Sequence, residues 1–130
     1  MSTTKVIKQI VNIKVSPEEI YDILMSSKKH GELTGAPAKI SQKEGGKFSV
    51  YDSYATGKNI KLVPGKKIVQ EWRASDWEEG ENSLITFDLT KTKTGTRITF
   101  THKNVPLSQL KSISNGWKEF YWEPLKDMFQ

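Results

Sequence analysis

The stretch that decides the fold is GGKFSVYDSYATGKNIKLVPGKKIVQEWR, residues 45–73. It opens on Gly45-Gly46, is interrupted again at Pro64-Gly65, and alternates apolar and polar residues between these breaks. Glycine pairs and proline–glycine pairs are typical of tight turns, and alternation is typical of half-buried strands. The stretch therefore predicts consecutive short antiparallel strands, whose inward faces can line a pocket.

Strands are predicted on both sides of this stretch as well. Residues 5–15 alternate, with Ile7, Val11 and Ile13 on one face. Residues 83–90 and 96–103 alternate in the same way on either side of a turn at residues 93–95. Period-two alternation of this kind predicts strands with one buried face. We therefore expect one strand first and about six antiparallel strands later in the chain.

Three helices are predicted from local signals. Ser16-Pro17-Glu18-Glu19 combines a capping serine, a proline at the first helical position and a glutamate at the third. Residues 28–33 predict a short second helix. Residues 117–129 carry large apolar side chains at helical spacing over a broad arc. We expect Ser108 or Ser112 to cap this last helix and Pro124 to kink it or tighten its path.

The order of these elements predicts the fold class. An apolar sheet face needs a cover, and the last helix is the element with enough apolar surface to supply it. We therefore predict a single α+β domain over residues 1–130. Its curved antiparallel sheet wraps around a long C-terminal helix, and two short helices follow the first strand. Because curvature keeps the two layers from meeting everywhere, a cavity between them is expected.

Composition excludes several classes of function. The chain has no cysteine, which rules out disulfides and thiolate metal sites. It has no apolar run long enough to span a bilayer and no signal sequence, so we expect a soluble cytoplasmic protein. The formal net charge is +5, mostly from lysines interleaved with acidic residues. A solvated surface explains this pattern better than nucleic-acid binding, although the charge also favours an acidic protein partner.

A set of residues shares the predicted inward face. On pattern alone, a packed core explains them better than a ligand cavity. Ile60 belongs to this face. Three members, Asp52, Gln70 and His102, are polar and must bond either a ligand or groups near solvent. For His102 we favour an exposed strand end, and for His30 a solvated position. The ligand-cavity candidates are Phe48, Val50, Asp52, Leu62, Gln70, Trp72, Phe87, Phe100, His102, Trp117, Tyr121 and Leu125.

One further candidate surface is the acidic loop of residues 76–82. Trp77, Glu78 and Glu79 lie there and form the partner-surface candidate. The indole is predicted either to stand exposed as an interface anchor or to fold over the sheet edge, with equal weight. The sequence has no nucleophile-elbow or phosphate-loop motif, and its two histidines have no carboxylate at ligand spacing. We therefore assign no catalytic residue, metal or cofactor.

Four segments, in chain order, resemble one known domain. They are SPEEIY at 16–21, GGKF at 45–48, LVPGKKIVQEWR at 62–73 and GWKEFYW at 116–122. They resemble the C-terminal domain of the activator of the ninety-kilodalton heat-shock protein ATPase. That domain belongs to the helix-grip superfamily of START lipid-transfer domains, polyketide cyclases and the birch pollen allergen. The resemblance covers nearly the whole chain. It implies the fold derived above, a cavity between sheet and last helix, and contact with the chaperone near its nucleotide lid.

Three functions remain open from the sequence. The first, which we favour, is a stand-alone, non-enzymatic family member that binds a small apolar or amphipathic molecule, such as a lipid, beside Trp72 and Trp117. The second is a co-chaperone-like module that binds the ninety-kilodalton heat-shock chaperone and modulates its ATPase. In the co-chaperone, an N-terminal domain without a counterpart in these residues carries much of the docking. The third, ranked last, is a polyketide-cyclase-like enzyme, which needs a deeply placed titratable residue with a shifted pKa.

Overall fold

The computed structural model describes residues 4–77 and 82–129. In this part of the chain, seven strands form one antiparallel sheet in the order β1-β7-β6-β5-β4-β3-β2. None of the helices described is long and apolar enough to cross a membrane. The strands are β1 (Thr4–Ile13), β2 (Lys39–Ile40), β3 (Lys47–Val50), β4 (Ala55–Val63), β5 (Lys67–Ala74), β6 (Ser83–Lys91) and β7 (Thr96–Pro106).

The helices take the predicted places. Helices α1 (Pro17–Met25) and α2 (Ser27–Thr34) follow β1. A long C-terminal helix, residues 107–128, closes the chain and packs on the inner face of the sheet. It begins with a 3₁₀ turn (Leu107–Gln109) and continues through α3 (Leu110–Trp117), a π-helical turn (Lys118–Trp122) and α4 (Glu123–Met128). This is the predicted α+β helix-grip architecture.

Serine caps start the two short helices. The Ser16 hydroxyl accepts a hydrogen bond from the Glu19 amide at 3.3 Å, with Pro17 next to it as expected. Ser26 ends α1 and caps α2 by accepting from the Lys29 amide at 3.3 Å. Each serine satisfies an amide that the first helical turn leaves without a partner. These caps confirm the predicted start of α1 and the short second helix.

The C-terminal helix differs from the prediction in two details. Neither Ser108 nor Ser112 caps it, because the chain enters α3 through the 3₁₀ turn without a side-chain cap. Pro124 lacks the amide that a regular helix would use. The chain accommodates it just after a wider π-helical turn, in which the Glu123 amide bonds to the Lys118 carbonyl. Of the two predicted effects of Pro124, the tighter path is therefore wrong, and the kink stays a prediction.

Strand β3 ends earlier than its alternation predicts. Tyr51, Asp52 and Ser53 have φ angles of +52°, +54° and +67°, so three consecutive residues adopt the left-handed conformation. This conformation is unfavourable for residues with a Cβ, and it ends the strand at Val50. Asp52 is exposed in the turn, where its amide bonds to the Pro37 carbonyl at 2.9 Å. Its predicted inward orientation is therefore wrong.

Strand β4 contains a register shift that sequence alternation does not reveal. Against β5, the pairing slips between Asn59 and Lys61. Ile60 is consequently 45% exposed, and Asn59 is completely buried. Leu62 pairs with Ile68 and is half-buried against the core. The inward prediction for Ile60 is wrong because a bulge resets which face each later residue occupies.

Candidate functional site: an aromatic pocket beside the C-terminal helix

The predicted cavity between the sheet and the C-terminal helix is closed in this structure. The void at that place has a volume of only about 10 Å³. A single water needs roughly 10–15 Å³ of such space, so a ligand does not fit there without movement of the layers. Seven of the cavity candidates surround this void and form packed core. They are Phe48, Val50, Gln70, Trp72, Phe87, Trp117 and Tyr121.

A larger pocket lies at one end of the core, between the left-handed turn and the C-terminal helix. Its volume is about 250 Å³. Aromatic rings form most of its wall: Tyr51 and Phe120 approach to 4.8 Å between ring centroids, and Trp117 and Tyr121 to 4.6 Å. We call it the aromatic pocket. Its lining consists of Tyr51, Tyr54, Trp72, Ser112, Ile113, Gly116, Trp117, Phe120 and Tyr121.

Two local features keep the aromatic pocket open. The left-handed turn brings Tyr51 and Tyr54 to its rim, where both rings remain half-buried. On the helix side, a Cβ added to Gly116 would meet no atom within 4 Å. Glycine costs a helix interior roughly 0.5–1 kcal/mol relative to alanine. Gly116 therefore leaves space at the pocket at the expense of helix stability.

A buried hydrogen-bond chain fixes one wall of the aromatic pocket. The Leu24 carbonyl lies 3.0 Å from Nδ1 of His30, so Nδ1–H donates to it. Nε2 of His30 then accepts from the Tyr121 hydroxyl at 2.7 Å. Burial lowers the pKa of His30 and raises the pKa of Tyr121, so both groups are neutral at physiological pH. The predicted solvated position of His30 is wrong, because α2 turns its ring toward the C-terminal helix.

His102 lies behind the pocket, with no exposed surface. The Trp117 indole N–H donates to its Nδ1 at 3.0 Å. Its Nε2–H donates to the Ser83 hydroxyl at 2.7 Å, which in turn donates to the Trp72 carbonyl at 2.6 Å. Burial lowers the pKa of His102 to about 3. The predicted exposed strand end is wrong because β7 continues to Pro106, beyond the predicted end at Lys103.

The other predicted site residues occupy different environments. Phe100 and Leu125 are fully buried core residues away from the aromatic pocket. The Gln70 amide donates to Asn59 Oδ1 at 2.9 Å, which satisfies it within the protein. Trp77 is only 5% exposed, and its ring lies 5.4 Å from that of Trp72. The exposed-anchor interpretation of Trp77 is therefore wrong. Glu78 and Glu79 lie outside the described residues.

Sequence reasoning missed several residues of the aromatic pocket. Ser112, Gly116 and Phe120 occur at intervals of four, which places them on one face of a helix. The two small residues, Ser112 and Gly116, leave a gap in the surface of this helix, and that pattern in the sequence could have predicted the pocket. Tyr51 gave no such signal, because its place depends on the left-handed turn.

This arrangement favours binding over chemistry. Among the described residues, no group of histidine, aspartate and glutamate side chains is placed to hold a metal ion. The two buried histidines are neutral, and each already has a partner at both ring nitrogens. The aromatic pocket offers apolar surface with hydroxyl groups of Tyr51, Tyr54 and Ser112 at its boundary. It can hold an apolar or aromatic group and orient it with a few hydrogen bonds.

Comparison with known proteins places this chain in one family. A family model described as "Activator of Hsp90 ATPase homolog 1-like protein" matches residues 14–130. The "Activator of 90 kDa heat shock protein ATPase homolog" of Dictyostelium discoideum is 31% identical over 98% of this chain and 33% of its own length. The human homolog 1 is 32% identical over 88% of this chain and 34% of its own length. The chain thus spans about a third of the length of these curated relatives.

Solved structures share the fold at lower identity. The crystal structure of an HSP90 activator from Plasmodium falciparum has a TM-score of 0.87 at 24% identity, covering 98% of this chain and 96% of that one. The solution structure of the Aha1 dimer from Colwellia psychrerythraea has a TM-score of 0.82 at 22% identity, covering 96% of both chains. At these identities, the likeness is one of fold.

Proposed function

We propose, because the chain belongs to the family of activator of Hsp90 ATPase homolog 1-like proteins, that it is a co-chaperone-like domain without catalysis of its own. In this proposal it binds a chaperone of the 90 kDa heat-shock class and changes that chaperone's rate of ATP hydrolysis. The observation that carries the proposal is the family match over residues 14–130, together with two curated relatives named as activators.

The chemistry of the interior supports a non-enzymatic role. His30 and His102 are held neutral by burial, and their hydrogen bonds to Tyr121 and Trp117 leave neither ring nitrogen free as a base. Asp52, the carboxylate among the cavity candidates, lies in an exposed turn. A cyclase-type reaction therefore has no support among the described residues.

The test is a chaperone ATPase assay in which this protein is titrated into a purified ninety-kilodalton heat-shock chaperone. We expect the rate to change and then saturate as the complex fills. An active-site inhibitor of the chaperone should abolish the affected rate, which controls for contaminating ATPases. A rate that does not change, in a mixture that shows no complex in sedimentation velocity, would contradict the proposal.

A second candidate function is binding of a small apolar or amphipathic molecule, such as a lipid chain or an aromatic compound. The aromatic pocket favours it, since a volume of about 250 Å³ suits a small molecule far better than the closed interior does. Native mass spectrometry of gently purified protein should show added mass that disappears on denaturation.

The glycine in the pocket wall provides a matched pair of variants for this candidate. Gly116→Leu should fill the aromatic pocket and abolish the added mass, because open space surrounds that position. Gly116→Ala introduces only a methyl group and should retain it. Added mass that persists in Gly116→Leu would place the ligand elsewhere. If the wild-type protein shows no added mass even after incubation with a lipid extract, this function would be contradicted.

A further inference from the structure

The outer face of the sheet carries a concentration of positive charge. Strand alternation turns apolar residues inward and every second residue outward, and the register aligns the outward residues of neighbouring strands. Among the strand residues that the structure describes, this face has two carboxylates, Glu71 and Asp88, against its cations. We call it the basic sheet face. Its nine cations are Lys8, Lys39, Lys47, Lys58, Lys61, Lys67, Arg73, Arg97 and Lys103.

Both carboxylates of the basic sheet face already have partners. Glu71 lies 3.6 Å from the Lys58 ammonium, and Asp88 lies 3.5 Å from that of Lys67. Arg73 donates to the Trp77 carbonyl at 2.6 Å and so is already engaged within the protein. The remaining cations are exposed and form no ion pair with another described residue. They are Lys8, Lys39, Lys47, Lys61, Arg97 and Lys103.

One pair of lysines is placed unfavourably for stability. Lys47 on β3 lies directly opposite Lys58 on β4. Side chains in such cross-strand positions have Cβ atoms roughly 4.5–5.5 Å apart, and like charges there are destabilising. An unfavourable pair on an exposed face, where other residue types would fit, points to a role in binding.

The segregation of charge is a property of the fold. Along the chain, lysines and acidic residues are interleaved. In three dimensions, most strand lysines collect on one face with few carboxylates, whereas the helices on the other side of the sheet combine seven acidic residues with five lysines. These helical acidic residues are Glu18, Glu19, Asp22, Glu32, Glu119, Glu123 and Asp127.

A groove marks one end of the basic sheet face. It has a volume of about 560 Å³, and Lys39, Lys47, Lys58 and Arg73 line it together with the hydroxyl groups of Ser49 and Thr56. One carboxylate, that of Glu71, also lines it and is paired with Lys58. Ammonium and hydroxyl groups are hydrogen-bond donors suited to carboxylates. The groove therefore offers both the charge and the donors that an acidic peptide segment requires.

We propose that the basic sheet face binds an aspartate- and glutamate-rich segment of a partner protein, centred on the groove at Lys39, Lys47 and Lys58. Single-stranded nucleic acids are usually held by aromatic stacking as well as by charge. Phe48 and Trp72 reach the floor of the groove, but each is only 5% exposed, so neither offers a ring face on which a base could stack. Lysine presents a point charge and lacks the bidentate fork with which arginine reads base edges, so these cations supply charge attraction without base recognition.

The inference rests on the proposed function only for the identity of the partner. If the partner is the heat-shock chaperone, the basic sheet face is the surface on which it docks. The positive charge of the basic sheet face would attract an exposed acidic segment whichever protein carries it. The two can therefore be tested by separate measurements.

The experiment compares two double variants with the same change in net charge. Lys39→Glu/Lys47→Glu alters the groove, and Lys111→Glu/Lys118→Glu alters exposed lysines of the C-terminal helix. Circular dichroism and thermal melting establish that both remain folded. Fluorescence anisotropy then measures binding to a short labelled Asp/Glu-rich peptide, to a labelled oligothymidine of similar charge, and to the purified chaperone, at low and physiological ionic strength.

We expect the groove variant to lose about tenfold or more in affinity for the acidic peptide, and the helix variant about threefold or less. Equal losses in the two variants would overturn the inference, since net charge alone would then explain binding. The inference would also be overturned if the wild type did not bind the peptide. It would be overturned as well if the wild type bound oligothymidine more tightly than the peptide and the groove variant abolished that binding.

The chaperone measurement separates this inference from the proposed function. Chaperone binding that is unaffected in the groove variant would overturn the basic sheet face as the docking surface and leave the proposed function standing. Peptide binding that depends on the groove, combined with no chaperone binding by the wild type, would contradict the proposed function and support the inference.

Discussion

Alternate residues of the same strands point to the two faces of the sheet, yet the two faces have opposite physical characters. The inner face buries aromatic rings and a neutral histidine, His102, under the C-terminal helix. The described strands carry nine cations and two carboxylates on the outer face. Apart from the aromatic pocket at one end, the inner face encloses a void of only about 10 Å³, whereas the outer face is open to solvent. The inner face supplies stability, and we propose that the outer face serves recognition.

The largest expected effect comes from the inner face. Trp72 is 5% exposed and contacts the rings of Trp77, His102 and Trp117. Trp72→Ala should lower the free energy of unfolding by about 3–5 kcal/mol, because it removes a buried ring and leaves a cavity. Urea denaturation measures the change. Leu84→Ala, on the outer face opposite Glu71, is the matched control and should cost about 1 kcal/mol or less. Similar losses in both variants would remove the distinction between the faces.

Acidification should also lower the stability of the protein, through the buried histidines of its interior. The folded protein holds His102 at a pKa of about 3, below the ordinary 6.5. Between these values the unfolded chain binds more protons than the folded one, so stability is complete above about pH 6.5 and falls as pH decreases. Each unit of pKa difference corresponds to about 1.4 kcal/mol, so several kcal/mol accumulate toward pH 3. The lowered pKa of His30 acts in the same direction.

Urea midpoints measured between about pH 7 and pH 5 test this prediction, because most carboxylates remain ionised there. We expect the free energy of unfolding to decrease steadily across this window. A constant value, or one that increases as pH falls, would show that the imidazole of His102 is not held neutral by its surroundings.

The smallest effect should have the opposite sign, on the outer face. Lys47→Thr removes the repulsion with Lys58 and places a β-branched residue in a strand. We expect it to raise the free energy of unfolding by about 0.2–1 kcal/mol. Lys103→Thr is the control, since Lys103 lies opposite the uncharged Leu84 and has less repulsion to relieve. Destabilisation by Lys47→Thr would indicate that the lysine serves the fold rather than binding.

Much of the fold follows from local signals in the sequence. The serine cap and the adjacent Pro17 determine where α1 begins, and the alternation from Lys67 to Ala74 gives β5 with its observed bounds. These signals depend on contacts within a few residues, so the local structure that they predict is kept in the folded protein. Two features that escaped prediction shift the alternation of inward and outward side chains by one residue. The left-handed turn at Asp52 and the bulge at Ile60 each reset the alternation without altering composition.

The candidate site was less accessible to sequence reasoning. Trp72, Trp117 and Tyr121 do line the aromatic pocket, since strand parity and helical spacing place them correctly. Tyr51 reaches the pocket only through the left-handed turn. The basic sheet face was hidden for a different reason. Charge that is interleaved along the sequence becomes concentrated only when the strand order brings outward lysines of different strands together.

The most direct test of the account is a nuclear magnetic resonance titration of the isotope-labelled protein with the ninety-kilodalton heat-shock chaperone. We expect the amide signals of Lys47, Lys58 and Ser49 in the basic sheet face to shift or broaden first. The indole N–H signals of Trp117 and Trp122, which donate to His102 and Gln9 away from the outer face, should remain unchanged until the complex is saturated. Early changes at the indole of Trp117 and the amide of Gly116, with Lys47 and Lys58 unaffected, would place binding in the aromatic pocket and contradict the account.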